Sequence, residues 1–129
     1  MNPEEASPAK RAIIDQLFAT AEADNEALLR NNSLGDVFDI PRDVDFVFKC
    51  SDALRAHWIC DFLNRLNYAH ANSQQTSESE WRVTAFIHMP INQPLICSVS
   101  ALMVFLAGAF DVEYDGWGSV IQKGDGLPR

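Results

Sequence analysis

Two segments of the chain alternate between apolar and polar residues, and this pattern constrains the fold more than any other. In Trp81–Met89 one face is apolar, from Trp81 through Val83, Ala85 and Ile87 to Met89. The opposite face consists of Arg82, Thr84, Phe86 and His88. Val44–Cys50 alternates in the same way. A period of two residues puts successive side chains on opposite faces of a sheet, so both segments are predicted to be half-buried strands.

Three other segments show helical periodicity. Residues 9–30 carry an apolar stripe, and Asp24-Asn25 is expected to break this helix. Ser51 can cap a helix over residues 52–66, whose apolar arc is wider than one sheet face requires and ends at Leu54 and Trp58. A third helix is predicted over residues 95–109. Its main stripe is Leu95, Val99, Leu102, Met103 and Leu106, with Val104 and Phe105 to the sides.

The third helix belongs to the most apolar run of the chain, Leu95–Phe110. The run has sixteen residues and contains Ser98, Ser100 and Gly108. A transmembrane helix needs about 20 residues. The run is therefore interpreted as a core helix, with no membrane partner.

These elements predict an α+β domain. Two weaker strands, over residues 67–73 and 117–122, complete the order helix, then β-α-β-β-α-β. That order is typical of the ferredoxin-like, split βαβ fold, a four-stranded antiparallel sheet with both helices on one face and here an extra N-terminal helix. We expect one domain over 1–129: a loose arm at 1–8, the helix at 9–30, the core at 42–122 with a mobile connection at 74–80, and a flexible tail at 123–129.

Composition narrows the class of partner. The 129 residues carry a net charge of −8, most of it in residues 1–45, which hold ten acids and four bases. Such acidity repels phosphate backbones and argues against non-specific nucleic-acid binding. Three cysteines without a CxxC pair, and no signal peptide, indicate buried thiols in a reducing cytoplasm.

Catalytic and metal sites find little support in the sequence. His57, His70 and His88 are not spaced as metal ligands with one another or with the cysteines. No nucleophile elbow, phosphate-binding glycine loop or HExxH motif occurs. We therefore expect a protein that is not an enzyme and needs no metal or cofactor.

Two surfaces are candidates for binding. The polar strand face, with Arg82, Phe86 and His88, mixes aromatic and basic groups as RNA-binding sheets do, although the signature of those modules is absent. This open sheet face is expected to be solvated, covered by the N-terminal helix, or used by a partner. The two core helices, with Trp58 at the edge of one, present more apolar surface than a sheet can bury. Either the N-terminal helix fills the gap between them or a partner does.

The stretch 110–118, FDVEYDGWG, follows the third helix. Asp115-Gly116 is a turn or bulge signal, because glycine tolerates positive φ. Tyr114 and Trp117 on either side are expected to fasten the returning chain to the core. The stretch is therefore interpreted mainly as a structural clasp.

The same nine residues resemble the C-terminal signature of the RraB family, regulators of ribonuclease E activity. A looser resemblance in pattern extends over residues 42–122. It implies a ferredoxin-like fold and a non-catalytic cytoplasmic protein that binds ribonuclease E and inhibits RNA cleavage. The alternatives are self-association, a different protein partner, or weak RNA or small-ligand binding on the open sheet face. The candidate signature and partner residues are Tyr114, Asp115, Gly116, Trp117, Arg82, Phe86, His88 and Trp58.

Overall fold

The computed structural model describes residues 7–124. Three helices and four strands follow one another in the order α1 (Pro8–Ser33), β1 (Arg42–Cys50), α2 (Ala53–Asn64), β2 (His70–Ser77), β3 (Glu80–Met89), α3 (Gln93–Phe110) and β4 (Glu113–Gly118). Each helix begins at a side-chain cap. Ser7, Asp52 and Asn92 accept hydrogen bonds from backbone N–H groups three residues later.

The four strands form one antiparallel sheet in the order β2-β3-β1-β4. Strands β1 and β3 pair along their whole length in the centre, with Phe46 opposite Ala85. The inward faces match the predicted alternation, because Val44, Phe46 and Val83 are almost fully buried. The sequence therefore predicted the α+β class, the two central strands and the direction they face.

Strand β4 begins four residues earlier than predicted. The expected strand at 117–122 is wrong, because the paired segment is Glu113–Gly118. Its pairing with β1 shifts register: Tyr114 lies opposite Phe48 and Gly116 opposite Val47, so Asp115 is the extra residue of a β-bulge. Gly116 has φ +101°, which favours glycine.

The bulge decides which way the aromatic residues of β4 face. Residues three apart in a regular strand point to opposite faces. Tyr114 and Trp117 instead both lie on the helical side. With the extra residue of the bulge between them, they lie opposite Phe48 and Phe46, which are two residues apart and share a face. The predicted bulge at Asp115-Gly116 is confirmed.

Helix α1 packs along α3 beside the β4 edge of the sheet. Ile13 lies so close to α3 that a Cβ on Gly108 would be 3.1 Å from its Cδ1. The two expected positions of this helix, over the open sheet face and between the core helices, are therefore both wrong. The expected break at Asp24-Asn25 is wrong as well, since α1 runs unbroken through these residues.

Strand β2 also differs from the prediction. The mobile connection expected at 74–80 is wrong, because β2 continues to Ser77 and turns directly into β3 at Glu80. Strand β2 lies at the edge of the sheet, and most of its residues are exposed and polar. It therefore lacks the apolar alternation that identifies a half-buried strand in a sequence. The Asn64 side chain, at the end of α2, hydrogen-bonds to the free edge of β2. Its oxygen accepts from the Ala71 N–H at 2.8 Å, and its NH₂ group donates to the Ala71 carbonyl at 3.0 Å.

Helix α3 is, within the described residues, the one helix long and apolar enough to cross a membrane by length and composition. It has 18 residues, more than the run of sixteen considered above. Core helices of soluble proteins meet the same criteria. Its inner face packs on β1 and β4, and its flank on α1.

A buried ion pair links the loop before β1 to the first residue of β1, and the segment after β4 hydrogen-bonds to both of its members. Arg42 and Asp36 lie 2.7 Å apart, with side chains 2% and 0% exposed. Arg42 also donates to the carbonyls of Val37 and Val120, so both charges are well satisfied. Lys123 forms a β-bridge with Asp36. Pro8 is already helical, and the rest of the predicted arm and tail, 1–6 and 125–129, lies outside the described residues.

We predict that Gly116→Val lowers the free energy of unfolding by about 1–3 kcal/mol, because a β-branched residue is strained at positive φ. Apart from the adjoining residues of the chain, no atom lies within 4 Å of the added Cβ, so the cost comes from the backbone and not from a clash. Urea unfolding measures it. Gly116→Asn is the control and should cost less, since asparagine tolerates positive φ better. Equal stability of the valine variant and the wild type would contradict the role given to the bulge.

Candidate functional site

The structure separates the eight predicted site residues into four places. Tyr114 and Trp117 lie on the helical side of β4, in contact with α3 and α1 respectively. Arg82, Phe86 and His88 lie on the open sheet face of β3. Trp58 lies on α2, 61% exposed. Asp115 and Gly116 form the bulge, so no single site contains them all.

Four side chains from α1, α3 and β4 form a hydrogen-bonded group, here called the Asp24 cluster: Asp24, Ser100, Tyr114 and Trp117. Trp117 Nε1 donates to Asp24 Oδ1 at 2.9 Å, and Ser100 Oγ donates to the same oxygen at 3.2 Å. Ser100 and Tyr114 share a hydrogen bond of 3.1 Å. The cluster joins three elements distant in sequence, and sequence reasoning missed Asp24 because it sits in an otherwise ordinary helix.

Burial controls the protonation of the Asp24 cluster. It raises the pKa of the Asp24 carboxyl above 3.8, against the lowering effect of its side-chain interactions with Trp117, Ser100 and Cys97. It also raises the pKa of the Tyr114 hydroxyl, which is therefore a neutral hydrogen-bonding group. Asp24 is only 3% exposed, and its Oδ2 has no hydrogen-bond partner within the described residues.

The open sheet face is exposed, and two of its basic residues each lie beside an acid. His88 Nδ1 lies 2.9 Å from Asp43 Oδ1, and Lys49 lies 3.3 Å from Asp115. Phe86 is 38% exposed. Acids thus alternate with bases across this face, an arrangement that does not attract a phosphate backbone strongly.

The outer side of the helical layer is apolar. We call it the α2–α3 surface, and it consists of Leu54, Trp58, Phe62, Leu95, Leu102 and Phe105, which are 37–79% exposed. On α2, three of these residues recur every four positions and so lie on one helix face. Trp58 packs edge-on against Phe110 with ring centroids 5.0 Å apart, and Phe62 lies 5.4 Å from the same ring.

Helix α3 differs from the prediction on this surface. Leu95 and Leu102 were expected in the core stripe but are 43% and 38% exposed, whereas Val104, expected at the side, is 2% exposed. The error arises because an apolar residue on every side of a helix hides which side faces the sheet. From Gln93 to Phe110 the helix has no charged residue. A solvent-facing helix side without charge is typical of a contact surface.

The remaining candidates for chemistry are the metal-ligating side chains and the three cysteine thiols. No group of three or more His, Cys, Asp or Glu side chains suited to a metal ion occurs in the part of the chain that the structure describes. Cys60 is buried, while Cys50 and Cys97 are partly buried. Burial raises the pKa of all three thiols. They are therefore protonated at neutral pH and are poor nucleophiles.

We predict that the Asp24 carboxyl makes stability depend on pH. Its pKa is higher in the folded than in the unfolded chain, so it contributes to folding most below pH 3.8, and the contribution is lost as pH rises through the folded pKa. The free energy of unfolding of the wild type, relative to Asp24→Asn, should therefore fall with rising pH. Urea unfolding at several pH values measures the difference. Asp15→Asn, on the exposed side of α1, controls for net charge. A difference that increases with pH would contradict the prediction.

Comparison with known proteins identifies the family to which this chain belongs. The family model described as Regulator of ribonuclease activity B (RraB) matches residues 21–119. That range contains the whole sheet, both core helices and the part of α1 that carries Asp24. No curated protein matches the chain. Since the match covers most of the 129 residues, the chain belongs to the RraB family.

Proposed function

We propose that this protein is a non-catalytic, cytoplasmic regulator that binds ribonuclease E and lowers its cleavage of RNA. Membership of a family of ribonuclease regulators supports the general activity. The choice of ribonuclease E as the partner, and of inhibition as the effect, follows from the sequence resemblance described above. The ferredoxin-like description of the fold is part of the same proposal, and the strand order β2-β3-β1-β4 with helices after β1 and β3 supports it.

The α2–α3 surface is the observation that carries the proposal. Helix α1 packs on the flank of α3 and leaves these side chains in solvent. Trp58 is the largest of them, and buried tryptophan is among the commonest anchors of protein interfaces. Phe110 supports the Trp58 ring from below. An anchor already held in place loses less conformational freedom when a partner binds.

Direct binding of RNA is the weaker explanation. The net charge is −8, and two of the bases on the open sheet face, Lys49 and His88, each face an acid. A protein that acted by occupying RNA would need uncompensated positive charge along a groove. Regulation through a protein surface requires only the exposed apolar side chains described above.

We predict that Trp58→Ala weakens binding to purified ribonuclease E about thirtyfold, because truncating an interface anchor costs about 2 kcal/mol or more. Calorimetry measures the affinity, and cleavage of a fluorescent RNA by the same enzyme measures inhibition, which should weaken in parallel. Phe86→Ala is the matched control. It removes an exposed aromatic ring from the open sheet face and should change affinity less than threefold.

Three outcomes would contradict the proposal. The first is that the wild type does not bind ribonuclease E or does not slow the cleavage. The second is that Phe86→Ala abolishes binding while Trp58→Ala does not, which would place the partner on the sheet. The third is that the free protein sediments as a dimer that Trp58→Ala dissociates, since a second copy would then cover the α2–α3 surface.

A further inference from the structure

A cleft of about 180 Å³ lies between α1 and β4, next to the β-bulge. Its polar lining comes from Gln16, Thr20 and Asp24 of α1 and from Tyr114 and Asp115 of β4. Two of these side chains are carboxylates, and none of the lining residues is basic. The cleft is separate from the α2–α3 surface and meets the open sheet face at Asp115, which pairs with Lys49.

Asp24 is only partly satisfied by the protein. Its Oδ1 accepts from Trp117 and Ser100, and the Cys97 thiol interacts weakly with the same carboxyl. The other oxygen, Oδ2, is buried and accepts no regular hydrogen bond from the described residues. In the described residues, one other buried side-chain polar atom, the Oγ of Ser119, shares this condition. A carboxylate oxygen removed from water without a donor costs free energy, which a donor in the cleft would recover.

The other polar groups of the cleft do not supply that donor. Gln16 donates its amide to the Thr20 hydroxyl at 3.1 Å, which leaves the Gln16 carbonyl oxygen as an acceptor. The Tyr114 hydroxyl bonds to Ser100. Asp115 pairs through its Oδ2 with Lys49 at 3.3 Å, so its charge is largely compensated and Asp24 is the carboxyl of the cleft without a basic partner. A ligand that carries positive charge and several N–H groups would fit this lining.

We propose that the α1–β4 cleft binds a cationic N–H group, a guanidinium or a primary ammonium, with Asp24 as its counter-charge. The group can come from a basic side chain of a protein partner or from a free small amine. Because the same carboxylate accepts from Trp117 and Ser100, the bound cation strengthens the junction of α1, α3 and β4. The inference stands independently of the proposed function.

The experiment titrates the full chain with methylguanidinium chloride and follows the indole N–H resonance of Trp117 by NMR. Since Trp117 donates to Asp24, a cation on Asp24 should shift this resonance saturably in the millimolar range. Tetramethylammonium chloride at equal ionic strength carries the charge without N–H donors and should produce no saturable shift. This pair of salts tests the proposal on the wild type, whatever the stability of the variants.

Two variants locate the site. Asp24→Asn retains an oxygen that can accept from Trp117 and Ser100 but lacks the charge, so it should weaken methylguanidinium binding at least tenfold. Asp15→Asn removes an acid from the exposed side of the same helix and should leave binding unchanged. Absence of a saturable shift, an equal shift with tetramethylammonium, or unchanged binding to Asp24→Asn would each overturn the proposal.

A further arm distinguishes the two sources of the cation. Arginine blocked at both ends, N-acetylarginine methylamide, presents the guanidinium as a protein would. If it binds as tightly as methylguanidinium, the cleft accepts a partner's side chain. If only methylguanidinium and methylammonium bind, the cleft takes a free small amine. Both results support the cation site and assign its source.

Discussion

The hydrogen bond from Trp117 to Asp24 is the contact on which the arrangement of the helical layer depends. It is possible because a β-bulge at Asp115 and Gly116 places Tyr114 and Trp117 on the same side of β4. Without the extra residue, one of the two aromatic rings would lie on the open face. This bond joins α1 to β4, and the bond from Ser100 to the same oxygen joins α1 to α3. The two donors offset part of the cost of burying the Asp24 carboxyl, whose pKa is still raised by burial.

This position of α1 determines which surfaces are free for function. Helix α1 neither covers the open sheet face nor enters the space between α2 and α3. The outer sides of α2 and α3 therefore keep their large apolar residues in solvent, and α3 contributes no charge there. In a family of ribonuclease regulators, exposed apolar side chains on α2 and α3 with a supported tryptophan fit action through protein contact better than action on RNA.

The sequence predicted the elements whose pattern is local and regular. The alternation in Val44–Cys50 and Trp81–Met89 identified the central strands and their buried faces. It could not predict the start of β4, because a bulge interrupts the period of two residues that identifies a strand. Nor could it assign Asp24, whose partner Trp117 is 93 residues away. The exposed side of α3 was misassigned because apolar residues surround that helix, whereas Trp58 was correctly placed at an edge.

Hydrogen–deuterium exchange of this protein, alone and with ribonuclease E, tests most directly the claim that the helical layer binds the partner. The account predicts slower exchange in α2 (Ala53–Asn64) and α3 (Gln93–Phe110) in the complex, with the rate in β3 (Glu80–Met89) unchanged. Protection confined to β2 and β3, with α2 and α3 unaffected, would contradict it and would move the partner to the open sheet face.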